Sequence, residues 1–143
     1  GIGIPPMLGL AKSLNADKHI FLGYRDRYNF LADDFMPYGN VYIATEDGSV
    51  GCKGNVLTAL GTTTIKPDII MACGPMPMLR AIKKYAEENN ITAYISLEER
   101  MACGVGACLG CVCKTTKKDH HSHVNNTRIC TEGPVFDARE VDI

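Results

Sequence analysis

The sequence predicts an α/β fold: a parallel-sheet domain over residues 1–97, followed by a small irregular module over residues 98–143. Three observations carry this. Strand-like and helix-like segments alternate through residues 1–97. The strand-like segments are near-continuous apolar runs, the pattern of parallel strands covered on both faces. After Leu97 the alternation stops and Cys, Gly and His become frequent. Order in that stretch has to come from something other than a hydrophobic core. A chain of 143 residues, 45% of them hydrophobic, has material for one compact domain with a small appendage.

Taken in order, Pro5–Leu14 reads as a helix, with proline in its first turn and Met7, Leu8, Leu10, Ala11 and Leu14 following. "HIFLGYR", residues 19–25, is a buried strand that carries Gly23. Tyr28–Met36 reads as helical, with Phe30, Leu31 and Phe35 at helical spacing. "VYIAT", residues 41–45, is a second strand, and the turn-rich "EDGSVGCKGN" follows it. Val56–Leu60 is a short helix. "PDIIMACGP", residues 67–75, is a strand running into Gly and Pro. Met76–Glu88 is a helix with Met78, Ile82, Tyr85 and Ala86 on one face and Lys83, Lys84, Glu87 and Glu88 outside. "TAYISL", residues 92–97, is the fourth strand, and Val112–Thr116 is a strand candidate in the C-terminal module. Ligands of parallel sheets bind beyond the carboxyl ends of the strands. Gly1, Gly3, Gly23, Gly48 and Gly74 fall there.

Charge and cysteine usage narrow the class. A net charge of -1 with 22% charged residues points neither to nucleic acid nor to an anionic membrane. No apolar run approaches the roughly 18 residues of a membrane span. "GIGIPPMLGL" has no basic n-region and no cleavage pattern. The seven cysteines are odd in number and concentrated toward one end, unlike a secreted disulfide framework. A cytoplasmic placement is the expectation.

Spacing identifies the chemistry of the cysteines. Cys103, Cys108, Cys111 and a distant Cys130 reproduce the C-x4-C-x2-C…C arrangement of a [2Fe–2S] site. A loop around a cluster must turn tightly and aim N–H groups at sulfur, which Gly104, Gly106 and Gly110 permit. Soft thiolates favour iron–sulfur or zinc over magnesium or calcium. Zinc is the alternative, drawn from Cys108, Cys111, Cys113, Cys130 and the His120, His121, His123 group. Structural zinc usually takes two separate short-spaced ligand pairs, and the histidines lie in a polar loop, "TTKKDHHSH", where they read as solvated. Cys113 and Cys52 read as small buried hydrophobes.

Two stretches suit a nucleotide. "GIGIPP" opens a helix, and glycines at a helix N-terminus let backbone N–H groups approach a diphosphate. "ACGPMPML" repeats the device at the end of a later strand, with Cys73, Gly74 and Pro75 at the sheet edge.

Together "GIGIPPML", "TEDGSVGCKG", "CGPMPML", "SLEERMACGVGACLGC" and "CTEGPVF" resemble the electron-transfer subunit of the NAD-dependent, two-subunit dihydroorotate dehydrogenase. That family belongs to the ferredoxin–NADP reductase superfamily, and the resemblance extends over essentially the whole chain. It implies a ferredoxin reductase-like nucleotide domain over residues 1–97 and a [2Fe–2S] module over residues 98–143. By the same resemblance Cys103, Cys108, Cys111 and Cys130 are the cluster ligands. Gly1, Gly3 and Pro6 form the diphosphate turn, Cys73, Gly74 and Pro75 the nicotinamide-side turn, and Gly23 and Arg25 lie at the adenosine part. Ser96, Glu98 and Met101 fall in the segment leading to the cluster.

The implied function is an oxidoreductase subunit of pyrimidine biosynthesis. Electrons from dihydroorotate reach FMN on a separate catalytic subunit, cross the cluster to FAD, and leave as hydride to NAD⁺. The implied assembly is a heterotetramer with that FMN subunit, without nucleic acid or membrane. The family's FAD-binding barrel and the strand before "GIGIPP" are not among these residues, so the chain looks like the C-terminal part of a longer subunit. FAD is expected to be held mainly by that barrel, and the 143 residues alone are expected to be inactive. A diaphorase-type subunit of a hydrogenase, or of a ferredoxin–NADP oxidoreductase, carries similar motifs. A zinc-stabilised interaction module is the non-enzymatic alternative.

Overall fold

The computed structural model describes residues 1–118 and 123–143. They fall into two compact units, Gly1–Lys66 and Pro67–Ile143. The first holds α1 (Ile4–Ser13), β1 (His19–Tyr24), α2 (Ala32–Phe35), β2 (Asn40–Thr45), β3 (Cys52–Lys53) and α3 (Val56–Gly61). The three strands form a parallel sheet in chain order, with His19 beside Asn40 and Tyr24 beside Thr45. Along α1, Ile4, Leu8 and Ala11 recur at i, i+4 and i+7, so one stripe faces inward. They pack with Leu22, Tyr24, Ala32 and Phe35. Phe35 is fully buried, a burial that contributes about 1.5–3 kcal/mol.

The helix expected over Tyr28–Met36 forms only at its end, as α2 and a 3-10 turn over Met36–Tyr38. Asp26 Oδ1 accepts the Tyr28 N–H at 2.9 Å, an Asx turn that competes with helix. Leu31 then takes a left-handed φ of 60°, which no helix interior contains. The Tyr24 hydroxyl donates to Phe30 O at 2.8 Å and holds the irregular stretch in place. "EDGSVGCKGN" is more ordered than expected, because β3 lies within it. Gly51 there has φ +66°, and a Cβ on it would overlap Ile43 O, so the turn requires glycine. α3 starts at a full capping box: Asn55 Oδ1 accepts from Leu57 N and Thr58 N at 2.9 and 3.0 Å.

The second unit holds β4 (Ile69–Cys73), α4 (Met76–Glu88), β5 (Thr92–Ser96), β6 (Val112–Thr115), β7 (Asn126–Arg128), α5 (Ile129–Glu132), β8 (Val135–Asp137) and β9 (Val141–Asp142). β4 and β5 run parallel, and β8 adds to the other side of β5 antiparallel. A second sheet places β6 between β7 and β9, all antiparallel. The single parallel sheet expected over residues 1–97 is thus two parallel groups, one in each unit. The boundary between units falls inside residues 1–97, because Ile95 pairs with Phe136 and ties β5 to the C-terminal segment.

Within this unit α4 buries Leu79, Ile82 and Ala86, and the strands bury Ala72, Ala93 and Ile95. The alternate strand positions are not covered: Ile69, Met71 and Tyr94 keep 52%, 37% and 40% of their surface. Coverage of both faces therefore does not hold for this sheet. On α4 Ile82 and Ala86 face inward as expected, while Met78 and Tyr85 are half-buried and Leu79 takes the central place. Lys83, expected outside, turns in and donates to Val141 O at 2.5 Å. Its stem packs while its ammonium finds a carbonyl, as buried lysine requires. Among the described residues no helix is long and apolar enough to cross a membrane.

Candidate metal centre and nucleotide turns

The loop from Cys103 to Cys111 enters β6, and Cys130 comes from α5, which follows β7 directly. β6 and β7 are hydrogen-bonded partners, with Val112 beside Arg128. Ile129 N–H donates to Cys111 O at 2.9 Å, so the sheet brings the distant fourth cysteine to the loop. The glycines do what the spacing asks of them. Gly104 and Gly106 have φ of +70° and +76°, conformations an L side chain enters at about 1–2 kcal/mol. A Cβ on Gly110 would stand 3.0 Å from Ala102 Cβ and 3.4 Å from Cys108 Sγ, a tight fit that a larger residue would have to push open.

The sulfurs stand as two pairs. Cys111 and Cys130 Sγ lie 3.0 Å apart, and Cys108 is the side-chain neighbour that lowers Cys103. Backbone N–H groups of Cys108, Val105 and Ala107 turn toward Cys103. They and the Cys108 thiol hold Cys103 down to about 6, led by the Cys108 N–H. The Cys130 thiol lowers Cys111, and the same contact raises Cys130. Among the described residues no three His, Cys, Asp or Glu side chains close on a single metal position. Two sulfur pairs with N–H groups aimed at sulfur form a donor set that fits a two-iron cluster, which takes four thiolates.

The other cysteines stand apart from this loop's pairs. Cys113 sits in β6 opposite Thr127, half-buried, its thiol pushed up by burial. Cys52 is half-buried in β3. His123 is exposed; the rest of the histidine reading, His120 and His121, lies outside the described residues.

The nucleotide-suited turns are placed as follows. Gly3 caps α1, and Pro5 and Pro6 occupy its first turn. The prolines have no N–H. The Ile4 N–H is used on Gly1 O and that of Met7 on Gly3 O. Gly23 lies in β1, where a Cβ would stand 3.1 Å from Val56 Cγ1; its smallness serves the seat of α3. Arg25 is exposed just beyond β1. In the second unit Cys73 ends β4, Gly74 follows, and Pro75 caps α4, its carbonyl accepting from Met78 and Leu79 N–H. A Cβ on Gly74 would run into the Met78 thioether, a flexible neighbour that has room to yield.

Two further residues at the cysteine site lie outside the cysteine spacing. The Arg128 guanidinium donates to Gly106 O at 2.8 Å and to Glu132 Oε1 at 3.0 Å. The i, i+4 charge pair Arg128–Glu132 is a sequence signal that could have flagged them.

Residues 98–142 match the family model described as the iron–sulfur cluster binding domain of dihydroorotate dehydrogenase B. Along 99% of its length the chain is 45% identical to the dihydroorotate dehydrogenase B (NAD(+)), electron transfer subunit of Caldanaerobacter subterraneus subsp. tengcongensis, covering 56% of that protein. It is 42% identical to the protein of the same name from Fusobacterium nucleatum subsp. nucleatum, covering 55%, and 40% identical to that from Bacillus pumilus, covering 54%. The chain thus spans about half the length of the curated relatives it matches. A structure reported under "Insights into flavin-based electron bifurcation via the NADH-dependent reduced ferredoxin-NADP oxidoreductase structure" superposes with a TM-score of 0.83 at 28% identity, over 99% of this chain and 51% of that one. By fold, cysteine loop and sequence, the chain matches the C-terminal part of dihydroorotate dehydrogenase B electron transfer subunits, and its residues 98–142 match their iron–sulfur cluster binding domain.

Proposed function

We propose that this chain is the cluster-bearing and nicotinamide-facing part of an oxidoreductase subunit, passing electrons from dihydroorotate oxidation toward NAD⁺ in pyrimidine biosynthesis. The observation that carries the reading is the pairing of Cys103 with Cys108 and of Cys111 with Cys130 around one glycine loop. These four thiolates would hold a [2Fe–2S] cluster, which would supply one-electron transfer. The glycines let the loop turn, and the N–H groups of Val105, Ala107 and Cys108 stabilise negative charge on sulfur. A mononuclear zinc site needs three or four donors around one point, and pairs suit it less.

Residues 1–97 serve as the ferredoxin reductase-like nucleotide part and residues 98–143 as the cluster module. Gly1, Gly3 and Pro6 take the diphosphate, Gly23 and Arg25 face the adenosine side, and Cys73, Gly74 and Pro75 face the nicotinamide. The prolines in both first turns leave few N–H donors, so contact depends on close backbone approach at the glycines. FAD links the one-electron cluster to the two-electron nicotinamide and is held mainly by residues outside this sequence. The partner is an FMN-containing dihydroorotate-oxidising subunit, assembled as a heterotetramer in the cytoplasm. A second reading, a ferredoxin–NADP oxidoreductase subunit, is favoured by the structural likeness at 28% identity.

The test is a visible spectrum with iron and sulfide analysis on anaerobically prepared chain. Two irons and two sulfides per chain with a red-brown colour support the reading, whereas colourless protein with one zinc overturns it.

A further inference from the structure

Arg128 connects three parts of the cysteine site with one side chain. It lies on β7 opposite Val112, directly before Ile129, whose N–H holds Cys111 O. Its Nη1 donates at 2.8 Å to the carbonyl of Gly106, a buried residue in the turn between Cys103 and Cys108. Its Nη2 donates at 3.0 Å to Glu132 Oε1, and its backbone N–H donates at 2.8 Å to Glu132 Oε2. Glu132 ends α5, the helix that carries Cys130. The guanidinium fork thereby fixes the loop of the first sulfur pair against the strand and helix of the second. Lysine, a point charge without the fork, has no equivalent geometry.

Stability does not account for the pair. Its side chains are 37% and 44% exposed, and exposed ion pairs contribute little. What remains is position and charge. Reduction of a cluster by one electron adds one negative charge, and the potential of such clusters follows the charge held nearby. A cation held on the Gly106 carbonyl, in the turn between Cys103 and Cys108, favours the reduced state, and the Glu132 carboxylate opposes it.

We propose that Arg128 is a positioning residue of the cysteine site and that the Arg128–Glu132 pair sets the reduction potential of the cluster held there. This rests on the cluster reading given above. It makes a prediction of opposite signs. Arg128→Met leaves Glu132 uncompensated and moves the one-electron equilibrium toward the oxidised form by about tenfold, which is 59 mV to lower potential. Glu132→Gln leaves a free guanidinium and moves it several-fold the other way. Arg128→Lys keeps the charge, and with it the potential to within about threefold, but loses the fork and releases iron several-fold faster.

The experiment uses the full chain and its three variants, reconstituted anaerobically with ferrous iron and sulfide. Each is counted for iron, titrated with dithionite at fixed pH and salt, and challenged with an iron chelator. Potential shifts of opposite sign in Arg128→Met and Glu132→Gln, with fast iron release and near-normal potential in Arg128→Lys, support the proposal. Shifts of the same sign, or none, with only faster release, reduce the pair to a structural tie and overturn it. Should Arg128→Met hold no cluster, the sign in Glu132→Gln decides: a potential at or below that of the unaltered chain overturns the proposal. An unaltered chain that takes up no iron and sulfide overturns the cluster reading itself, a result distinct from all of these.

Discussion

Gly106 is where a single methyl group has the most to say about the cysteine loop. Replacing it with alanine puts an L side chain at φ +76°, which costs about 1–2 kcal/mol in backbone strain. The same Cβ would stand 2.6 Å from Thr131 Cγ2 and 4.0 Å from Cys130 Sγ. Relieving that overlap displaces either the loop or α5, and overpacking of this kind costs about 1–3 kcal/mol more. Gly104 is the natural control: φ +70° with no atom within 4 Å of its Cβ, hence strain without overlap. If metal leaves through opening of this loop, each 1.4 kcal/mol speeds release about tenfold. Gly104→Ala should then lose iron to a chelator about 5–30 times faster, and Gly106→Ala about 30 times faster or more. Thr131→Ser removes the offending methyl and keeps the hydroxyl, so in the Gly106→Ala background it should return release to the Gly104→Ala range. The assay is stopped-flow or manual mixing of reconstituted chain with chelator, followed by loss of visible absorbance. Equal rates for Gly104→Ala and Gly106→Ala, or no rescue by Thr131→Ser, would refute the reasoning.

Serine at Cys103, Cys108, Cys111 or Cys130 should each abolish or destabilise the visible chromophore, while Cys113→Ser, in β6 opposite Thr127, leaves the spectrum nearly unchanged; the reverse pattern reassigns the fourth ligand. Asn55→Ala removes the cap that accepts from Leu57 N and Thr58 N and should lower stability by about 1 kcal/mol in urea unfolding, with a smaller loss for Asn55→Asp. Asp137 is held below the usual carboxylate range by Arg139, which donates through Nε and Nη2. A depressed folded pKa gives stability that is full above the ordinary carboxylate value near 3.8 and lost as pH falls through the folded value. The stability difference between the chain and Asp137→Asn should therefore be constant from pH 7 to 5 and shrink below pH 4; a gap that persists to pH 2 assigns it to packing.

How much of this was readable from residues depended on the length of the pattern. α1 and α4 carry apolar positions over ten and thirteen residues, and both fall within a residue of where the periodicity puts them. The strands β1, β2, β4 and β5 have five or six residues of apolar run and are equally legible. β3, β7, β8 and β9 have two or three residues, too few for alternation to show, and exist because a neighbour offers its edge. The missed turn before α2 has a local cause, the Asp26 Asx turn and the left-handed Leu31, which the spacing of Phe30, Leu31 and Phe35 concealed. At the cysteine site the ligand spacing was legible because the loop is local in sequence. The clamp from Arg128 to Gly106 spans 22 positions and depends on β6 pairing with β7, which no local pattern announces. Lys83 is the same case: its partner, Val141, lies 58 positions on.

The antiparallel addition of β8 to β5 has a consequence for biogenesis. On the ribosome, Tyr94–Ser96 emerges long before Val135–Asp137, its partner. The interval is about 40 residues of synthesis, about 2–8 s at ordinary elongation rates. During it the β5 edge is unpaired, and Cys103, Cys108 and Cys111 are in solution without Cys130. The first unit has no such wait, since β1, β2 and β3 follow one another in chain order. Nascent chains therefore pass through a stage with the β1–β3 strands already made and an open β5 edge beside three cysteines that lack Cys130. Iron delivery, oxidation and strand-edge aggregation compete in that stage, and slowing elongation between Ser96 and Val135 lengthens the exposure in direct proportion.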